Sequence, residues 1–240
     1  MIKQALSIGL LASAMANSQA LELVTNGSFN APLLTSSVVM TNNMPGWTNV
    51  VLSPLGYNFT GIYLSAEDAV TNGFNDGTTL KLWQATPSPD GGSFIADDGD
   101  PNYHTSIQQN ISGLVKGQSY NLSFYYAGAE ITQRTGPTTE WWDVSLGGST
   151  QSTPVLNNAS QSFTGWQKAT MTFVATSSQE LLSFTAGGTP TGQPPMVLLD
   201  GVSLVAAVPE PASYACLALG LAMLGAARYR MRQNRPAGTA

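Results

Sequence analysis

The chain has 240 residues, of which 10% are charged, and its formal net charge is −5. Between residues 21 and 207 only four basic side chains oppose thirteen acidic ones, an excess of negative charge that argues against nucleic acid as a partner. The single cysteine, Cys216, and the single histidine, His104, exclude a disulfide bond and a zinc site built from cysteine and histidine.

The first twenty residues have the pattern of a secretory signal peptide. Lys3 provides a positive start, residues 5–16 are largely apolar, and Ser18 and Ala20 place small residues where a signal peptidase inspects the chain. We therefore expect a signal helix over residues 1–20, cleavage by signal peptidase after Ala20, and export of the remaining chain.

Residues 21–207 have the length of one domain with a full core. They show no sustained helical period. Short apolar runs alternate there with turns rich in Gly, Pro, Asn and Ser, which predicts an all-β, antiparallel β-sandwich.

Three predicted strands carry clear signals. Residues 120–126 alternate between apolar and polar side chains, and residues 141–146 alternate with Trp142, Val144 and Leu146 on one face. Residues 196–205 form the last predicted strand, in which Asp200 and Gly201 predict a bulge or bend.

The C-terminal region combines three features in a fixed order. Pro209, Glu210 and Pro211 precede an uncharged segment over residues 212–227, which predicts a short transmembrane helix of about 24 Å at 1.5 Å per residue. A basic end follows, and its arginines are expected to stay on the cytoplasmic side. These arginines are Arg228, Arg230, Arg232 and Arg235.

This order of features over residues 208–235 resembles the PEP-CTERM sorting signal of Gram-negative bacteria. The resemblance implies that an exosortase, a membrane-embedded protease, reads the tail and cleaves near Pro-Glu-Pro. It also implies an inner-membrane-anchored intermediate and a final location at the cell surface or in the extracellular matrix. An ordinary single-span anchor is the alternative, and it too leaves residues 21–207 outside the cytoplasm.

Two shorter resemblances concern the exported domain. The N-G-S-F of residues 26–29, followed by Gly46-Trp47, resembles the opening of galactose-binding-like and carbohydrate-binding jelly rolls. Residues 91–126 resemble a pattern that recurs in exported PEP-CTERM domains. The resemblance implies a jelly roll with its first and last strands adjacent.

Carbohydrate recognition needs exposed aromatic faces that stack on sugar rings, with polar groups nearby. Trp141, Tyr125 and Trp47 are the aromatic residues least obviously assigned to the core, and they are the predicted ligand contacts. A core position is the alternative interpretation for each.

A structural calcium ion is expected at one of two places. Asp98, Asp100 and Asn102 match the first three ligand positions of a calcium loop, although the later positions of that loop do not match and a solvated acidic turn is the alternative. The jelly-roll resemblance also implies Asp200 as a calcium ligand, with oxygens near Asn26. No other cofactor is expected.

The sequence favours a binding protein over an enzyme. No nucleophile motif accompanies His104, and the spacing of the carboxylates, Glu130 and Glu140 among them, selects no catalytic pair. The first hypothesis is therefore a non-enzymatic surface or matrix protein that associates with exopolysaccharide. A purely structural surface protein and an extracellular glycan hydrolase are the alternatives.

Overall fold

A computed structural model describes residues 21–41, 44–75, 79–207, 220–226 and 228. Residues 21–207 form two packed antiparallel sheets, as the sequence predicts. The strands of the first sheet are, in spatial order, β1 (Val38–Val39), β3 (Gly61–Tyr63), β6 (Phe94–Asp98), β14 (Pro195–Ala206), β8 (Ser119–Glu130) and β12 (Gln167–Val174).

The second sheet faces the first across the core. Its strands are, in spatial order, β10 (Ser149–Ser152), β9 (Thr138–Leu146), β13 (Gln179–Thr189), β7 (Thr105–Ser112) and β2 (Thr48–Val51), while β11 (Leu156–Asn158) pairs with the start of β9. A small hairpin, β4 (Phe74–Asn75) with β5 (Thr79–Leu80), lies beside the sandwich.

Alternating burial confirms the strand predictions. In β8 the predicted inward side chains are buried, while Asn121, Ser123 and Tyr125 between them are half-buried. In β9 the inward face is also the predicted one, and Trp142 is fully buried. The indole Nε1 of Trp142 donates to the carbonyl oxygen of Leu198 at 3.0 Å, which joins the second sheet to the first.

The two ends of the domain meet in the first sheet. Glu22 bridges to Val205, and the Leu23 amide donates to the Leu204 carbonyl at 3.0 Å. The Glu22 carboxylate also accepts the Leu204 amide at 2.8 Å. The chain segment that starts the domain therefore lies beside the last strand as expected, although it forms an isolated bridge and β1 lies at the far edge of the sheet.

The predicted irregularity in the last strand is a β-bulge. The register of β14 against β8 shifts between Asp200 and Ser203, and Gly201 has a φ of 59°. A positive φ is the conformation that glycine adopts without strain, so the Asp-Gly pair explains why the bulge lies here.

The expectation of a purely β domain misses one short helix, α1 (Ala66–Thr71). Its first turn is capped by Ser65, whose hydroxyl accepts the Asp68 amide at 3.1 Å. With only six residues, the helix is too short to produce a recognisable period in the sequence.

The predicted terminal segments lie mostly outside the described residues. This holds for the signal helix at 1–20, for Pro209, Glu210 and Pro211, and for Arg230 and Arg232. Of the predicted membrane helix, residues 220–226 are helical and exposed, and Arg228 is helical. Within the described ranges, no helix combines the length and the apolarity that crossing a membrane requires.

One buried carboxyl group predicts how stability depends on pH. Asp97 in β6 is fully buried, and it accepts hydrogen bonds from the hydroxyls of Thr60 at 3.1 Å and Thr105 at 2.8 Å. Burial raises its pKa to about 7 although these hydroxyls oppose the shift. The folded state therefore binds the Asp97 proton more tightly than the unfolded state does. The stabilisation that this proton provides is complete below pH ~4 and declines as the pH rises towards 7.

We therefore expect Asp97→Asn to reduce the pH dependence of stability. Between pH 4 and 8, the free energy of unfolding should fall in the wild type by a few kcal/mol more than in the variant. The reason is that each unit by which folding raises a pKa corresponds to about 1.4 kcal/mol of stability. Urea titrations at each pH measure this difference. Asp143→Asn, on the outer face of β9, is the matched control, and equal slopes in wild type and Asp97→Asn would contradict the assignment.

Candidate functional site

A cavity of about 350 Å³ opens at one end of the sandwich, and three aromatic rings border it. Tyr57 and Phe59 come from the loop between β2 and β3, and Tyr103 comes from the loop between β6 and β7. The ring centroids lie 5.8 Å (Tyr57–Phe59), 5.7 Å (Tyr57–Tyr103) and 5.4 Å (Phe59–Tyr103) apart. Tyr57 is 51% exposed, so its ring is accessible to a ligand.

Polar groups of several kinds complete the wall of this aromatic cavity. Asp98 supplies a carboxyl group, Arg134 a guanidinium and Gln133 a carboxamide, and the backbone of Gly192 adds to the rim. Gln133 and Arg134 are exposed, whereas Asp98 is almost completely buried. The cavity therefore presents flat apolar surface beside hydrogen-bond donors and acceptors.

The acidic turn after β6 holds Tyr103 in place. Oδ1 of Asp98 accepts the Asp100 amide at 2.9 Å, and the Asp100 carboxylate accepts the amides of Asn102 at 2.9 Å and Gly192 at 2.6 Å. The Tyr103 amide in turn donates to the Asp100 carbonyl at 2.8 Å. Three of the four carboxylate oxygens thus accept backbone amides, an arrangement that fits a self-capped turn better than the expected calcium loop.

A hydrogen bond connects this turn to the loop that carries Tyr57. The Ser53 hydroxyl donates to the Asn102 carbonyl, and the Tyr57 amide donates to the same hydroxyl oxygen at 3.3 Å. The two loops that supply the aromatic rings are therefore fixed relative to each other.

Burial sets the protonation of Asp98. It raises the pKa of Asp98 to about 8, and the neighbouring charges of Asp97 and Asp100 add to the shift, while the Asp100 amide opposes it. At neutral pH the carboxyl group is therefore mainly protonated and able to donate a hydrogen bond to an oxygen in the cavity.

The prediction that Trp47 is open to a ligand is wrong. Trp47 is 3% exposed, and its ring packs against Phe29 at 5.3 Å and Phe184 at 6.2 Å. Its Nε1 donates to the Asn26 carbonyl at 3.0 Å. The ring closes one end of the core, and the turn at Pro45-Gly46 directs it inward.

The other two predicted contacts lie on opposite outer faces. Trp141 is half-buried on the outer face of the second sheet, where its indole covers Gly187 on the neighbouring strand so closely that a Cβ at Gly187 would lie 2.4 Å from the ring. Tyr125 is half-buried on the outer face of the first sheet, with the Lys168 ammonium 5.7 Å from its ring centroid. The structure does not bring the three predicted rings together.

The two jelly-roll calcium candidates lie on adjacent segments, because the Val202 amide donates to the Gly27 carbonyl at 3.0 Å. The Asn26 carboxamide is fully engaged, because its oxygen accepts the Ala31 amide at 3.1 Å and its nitrogen donates to the carbonyls of Ala31 at 2.7 Å and Pro45 at 3.2 Å. It stabilises a turn, and a calcium ligand near Asn26 stays a prediction. Asp200 is fully buried, and its Oδ2 has no hydrogen-bond partner among the described residues.

Two of the carboxylates considered for catalysis, Glu130 and Glu140, do not reach solvent. Glu130 and Glu140 are both fully buried between the sheets. His104 is half-buried, and its Nδ1 lies 3.1 Å from the Ala186 carbonyl. None of these three side chains borders the aromatic cavity.

The aromatic cavity was not predicted from the sequence. A partial signal exists, because Tyr57 and Phe59 follow Pro54 and Gly56 in a loop and Tyr103 directly follows the acidic turn. Exposed rings next to turn residues point to a binding loop, but no local pattern brings two distant loops together.

Several solved structures are similar to this chain, and carbohydrate-binding modules are among them. A CBM4 structure is 19% identical with a TM-score of 0.41, over 77% of this chain and 99% of that chain. The structure of TmCBM61 in complex with beta-1,4-galactotriose is 10% identical with a TM-score of 0.43, over 78% of this chain and 100% of that chain. The tandem CBM22 domain from Paenibacillus barcinonensis Xyn10C is 15% identical with a TM-score of 0.41, over 80% of this chain and 48% of that chain.

These TM-scores and identities are too low to support an argument about function. No protein-family model matches the sequence, and comparison with curated proteins gives no match. The functional argument therefore rests on the geometry of the chain itself.

Proposed function

We propose that residues 21–207 form a non-enzymatic glycan-binding domain whose site is the aromatic cavity. The observation that carries this proposal is the joining of three aromatic rings, a buried carboxyl group, a guanidinium and a carboxamide around one opening of about 350 Å³. Such a volume lies in the usual range for small-ligand sites, ~300–1,000 Å³.

The chemistry of the wall suits a sugar. The C–H face of a pyranose packs on an aromatic ring, and its hydroxyls need both donors and acceptors. Tyr57 offers the accessible ring, Arg134 and Gln133 offer donors at the rim, and Asp98 exchanges hydrogen bonds at the base.

Substituting the tyrosines tests this site. We expect Tyr57→Ala and Tyr103→Ala each to lower glycan affinity about tenfold, since the loss of a stacking ring costs about 1–1.5 kcal/mol. Affinity electrophoresis through gels that contain exopolysaccharide from the producing cells measures the change. A glycan array that includes beta-1,4-galactotriose and xylohexaose measures the same loss of affinity for defined sugars.

Trp141→Ala and Tyr125→Ala serve as the comparison variants, because they alter the two outer faces and leave the cavity intact. Loss of binding in these variants alone would place the site on an outer face, at aromatic residues that the sequence predicts as ligand contacts, and would remove the cavity assignment. The absence of sugar binding in the wild type, together with self-association, would favour the purely structural alternative.

Burial of the acidic candidates supports a binding role over hydrolysis. A glycosidase needs two carboxyl groups on either side of an accessible glycosidic bond. Glu130 and Glu140 are enclosed between the sheets, where a sugar cannot lie between them.

We also propose that the domain is exported and then processed at its C-terminal tail. The support is the signal-peptide pattern of residues 1–20 and the PEP-CTERM pattern of residues 208–235. Signal peptidase and an exosortase-like protease are the implied partners. The chain passes through an inner-membrane-anchored intermediate, and the mature domain at the cell surface or in the matrix contacts exopolysaccharide.

Mass spectrometry of the mature protein tests this processing. We expect an N-terminus at Leu21 and a C-terminus close to Pro209-Glu210-Pro211, and alanine at these three positions should leave the tail attached. If Arg228, Arg230 and Arg232 remain on the mature wild-type chain, the tail is an ordinary anchor and the sorting assignment is wrong.

A structural calcium ion at Asp200 is a further part of this proposal. The Gly201 amide donates to Oδ1 of the buried Asp200 carboxyl group at 2.8 Å, and the charge of Asp90 acts on this group. Burial raises the pKa of Asp200 to about 7. The unpartnered Oδ2 of Asp200, close to a second carboxylate, fits a cation that prefers oxygen ligands.

Calcium should therefore stabilise the protein through Asp200. After treatment with EDTA, addition of 1 mM Ca²⁺ is expected to raise the Tm of the wild type by several degrees, because a ligand that binds only the folded state stabilises it. Asp200→Asn should reduce this response, whereas Asp143→Asn should preserve it. An equal response in wild type and Asp200→Asn would contradict the assignment.

A further inference from the structure

Two buried acceptor atoms near the start of β9 have no donor. Oε2 of Glu140 and Oδ1 of Asn158 have no hydrogen-bond partner among the described residues, and the two side chains are 0% and 2% exposed. Leaving one such atom unsatisfied destabilises a fold by about 1–3 kcal/mol, and more when the atom is charged. Two of them in neighbouring positions indicate a missing partner.

The strand pairing places these atoms on the same inner face. Asn158 in β11 lies directly opposite Thr138 in β9, and Glu140 is the next inward residue of β9. The Thr138 hydroxyl donates to the other Glu140 oxygen, Oε1. Nδ2 of Asn158 donates to the Ser162 carbonyl at 3.2 Å, which leaves Oδ1 as the atom without a partner.

The first sheet makes room for the Glu140 carboxylate. Gly128 of β8 faces it, and a Cβ at Gly128 would lie 2.5 Å from Oε2 of Glu140, so any larger residue there would displace the carboxylate. Glu130, the next inward residue of β8, is also fully buried, and its charge acts on Glu140. Two carboxyl groups thus approach each other between the sheets.

No positive side chain compensates these two groups within the described part of the chain. Glu130 accepts the Gln193 carboxamide at 2.8 Å and the backbone amide of Gln161, while Glu140 accepts only the Thr138 hydroxyl. Buried carboxylates ordinarily require a cation, a bound metal or a proton.

We propose that Glu140, Asn158 and Glu130 form a binding site for a calcium ion between the two sheets. Carboxylate and carboxamide oxygens are the ligands that calcium prefers, and a mixed set with water completes its usual six to eight contacts. Within the described ranges, no group of three or more Asp, Glu, His or Cys side chains is placed to hold a metal. The site therefore depends on the Asn158 oxygen as well as on the two carboxylates.

A recess in the surface lies beside the Asn158 end of the proposed site. It has a volume of about 400 Å³, and Thr138 and Asn158 belong to its lining together with Thr139 and Asn157. The recess borders the β9–β11 pair and shares no lining residue with the aromatic cavity, so the proposed calcium site is distinct from the proposed sugar site.

A proton is the competing occupant. Burial, together with the charge of Glu130, raises the pKa of Glu140 to about 8 when no metal is present. Calcium that binds Glu140 at neutral pH must therefore displace this proton, as metal binding to protonated ligands generally does.

Calcium binding to variants of the full chain tests the proposal independently of sugar binding. The measurements use Asp200→Asn as the background, which removes the other proposed calcium site. Native mass spectrometry and isothermal titration with CaCl₂ at pH 7.5 should detect one bound ion in Asp200→Asn and none in Asp200→Asn/Glu140→Gln. Asn158→Ala in the same background should weaken binding at least tenfold, whereas Asp143→Asn, on the outer face of the same strand, should leave it unchanged.

Either of two results overturns the proposal. One is the absence of bound calcium in Asp200→Asn, which does not depend on how well the Glu140 variant folds. The other is the retention of one ion in Asp200→Asn/Glu140→Gln after circular dichroism has shown native sheet content. Because each readout is the number of bound ions, neither result bears on whether the aromatic cavity binds glycans.

Discussion

The closure of the two sheets over the Trp142 indole is the contact on which the rest of the structure depends. The ring lies in the centre of the core, edge-on to Phe184 at 6.1 Å, and Phe184 is in turn edge-on to Phe124 at 5.1 Å. The bond from its Nε1 to the Leu198 carbonyl fixes β9 against β14. Once these strands are in register, the loops that precede them have fixed positions, and these loops bring Gln133, Arg134 and Gly192 to the rim of the aromatic cavity.

The domain compensates its buried acids with hydroxyl, carboxamide and backbone donors. Asp97 accepts two threonine hydroxyls, Asp100 accepts two backbone amides, and Glu130 accepts a carboxamide and an amide. With only four basic residues between positions 21 and 207, pairing each acid with a positive side chain is impossible. A proton or the proposed calcium ion is then the remaining partner for the unpaired oxygens of Asp200 and Glu140, so the proposals link the stability of the domain to pH and to calcium.

The sequence predicts the architecture well where a local pattern determines it. Alternation identifies the inner faces of β8 and β9, and an Asp-Gly pair identifies the bulge in β14, because each depends on neighbouring residues alone. The sequence predicts sites poorly where distant segments meet. Trp47 has no alternating context, so its inward direction depends on the Pro45-Gly46 turn and on Phe29, which comes from another segment.

The same limit applies to both proposed sites. The aromatic cavity joins Tyr57 to Tyr103 across 46 positions, and the calcium site depends on the pairing of β11 with β9 and on the space above Gly128. Asn26, by contrast, has the residue type of a ligand, and its carboxamide forms hydrogen bonds to Ala31 and Pro45 that hold a turn. Residue type alone did not distinguish these roles.

The position of β14 determines how the domain would respond to a pulling force. This strand ends at Ala206 in the interior of the first sheet, between β6 and β8, and the Ala207 amide still donates to the Ser119 carbonyl at 2.8 Å. A load applied to a tether beyond Ala207 and directed along the strand acts on the row of hydrogen bonds between β14 and β8 in shear, so many bonds must break together. A domain held at a cell surface by its C-terminal end would thereby resist mechanical unfolding under flow.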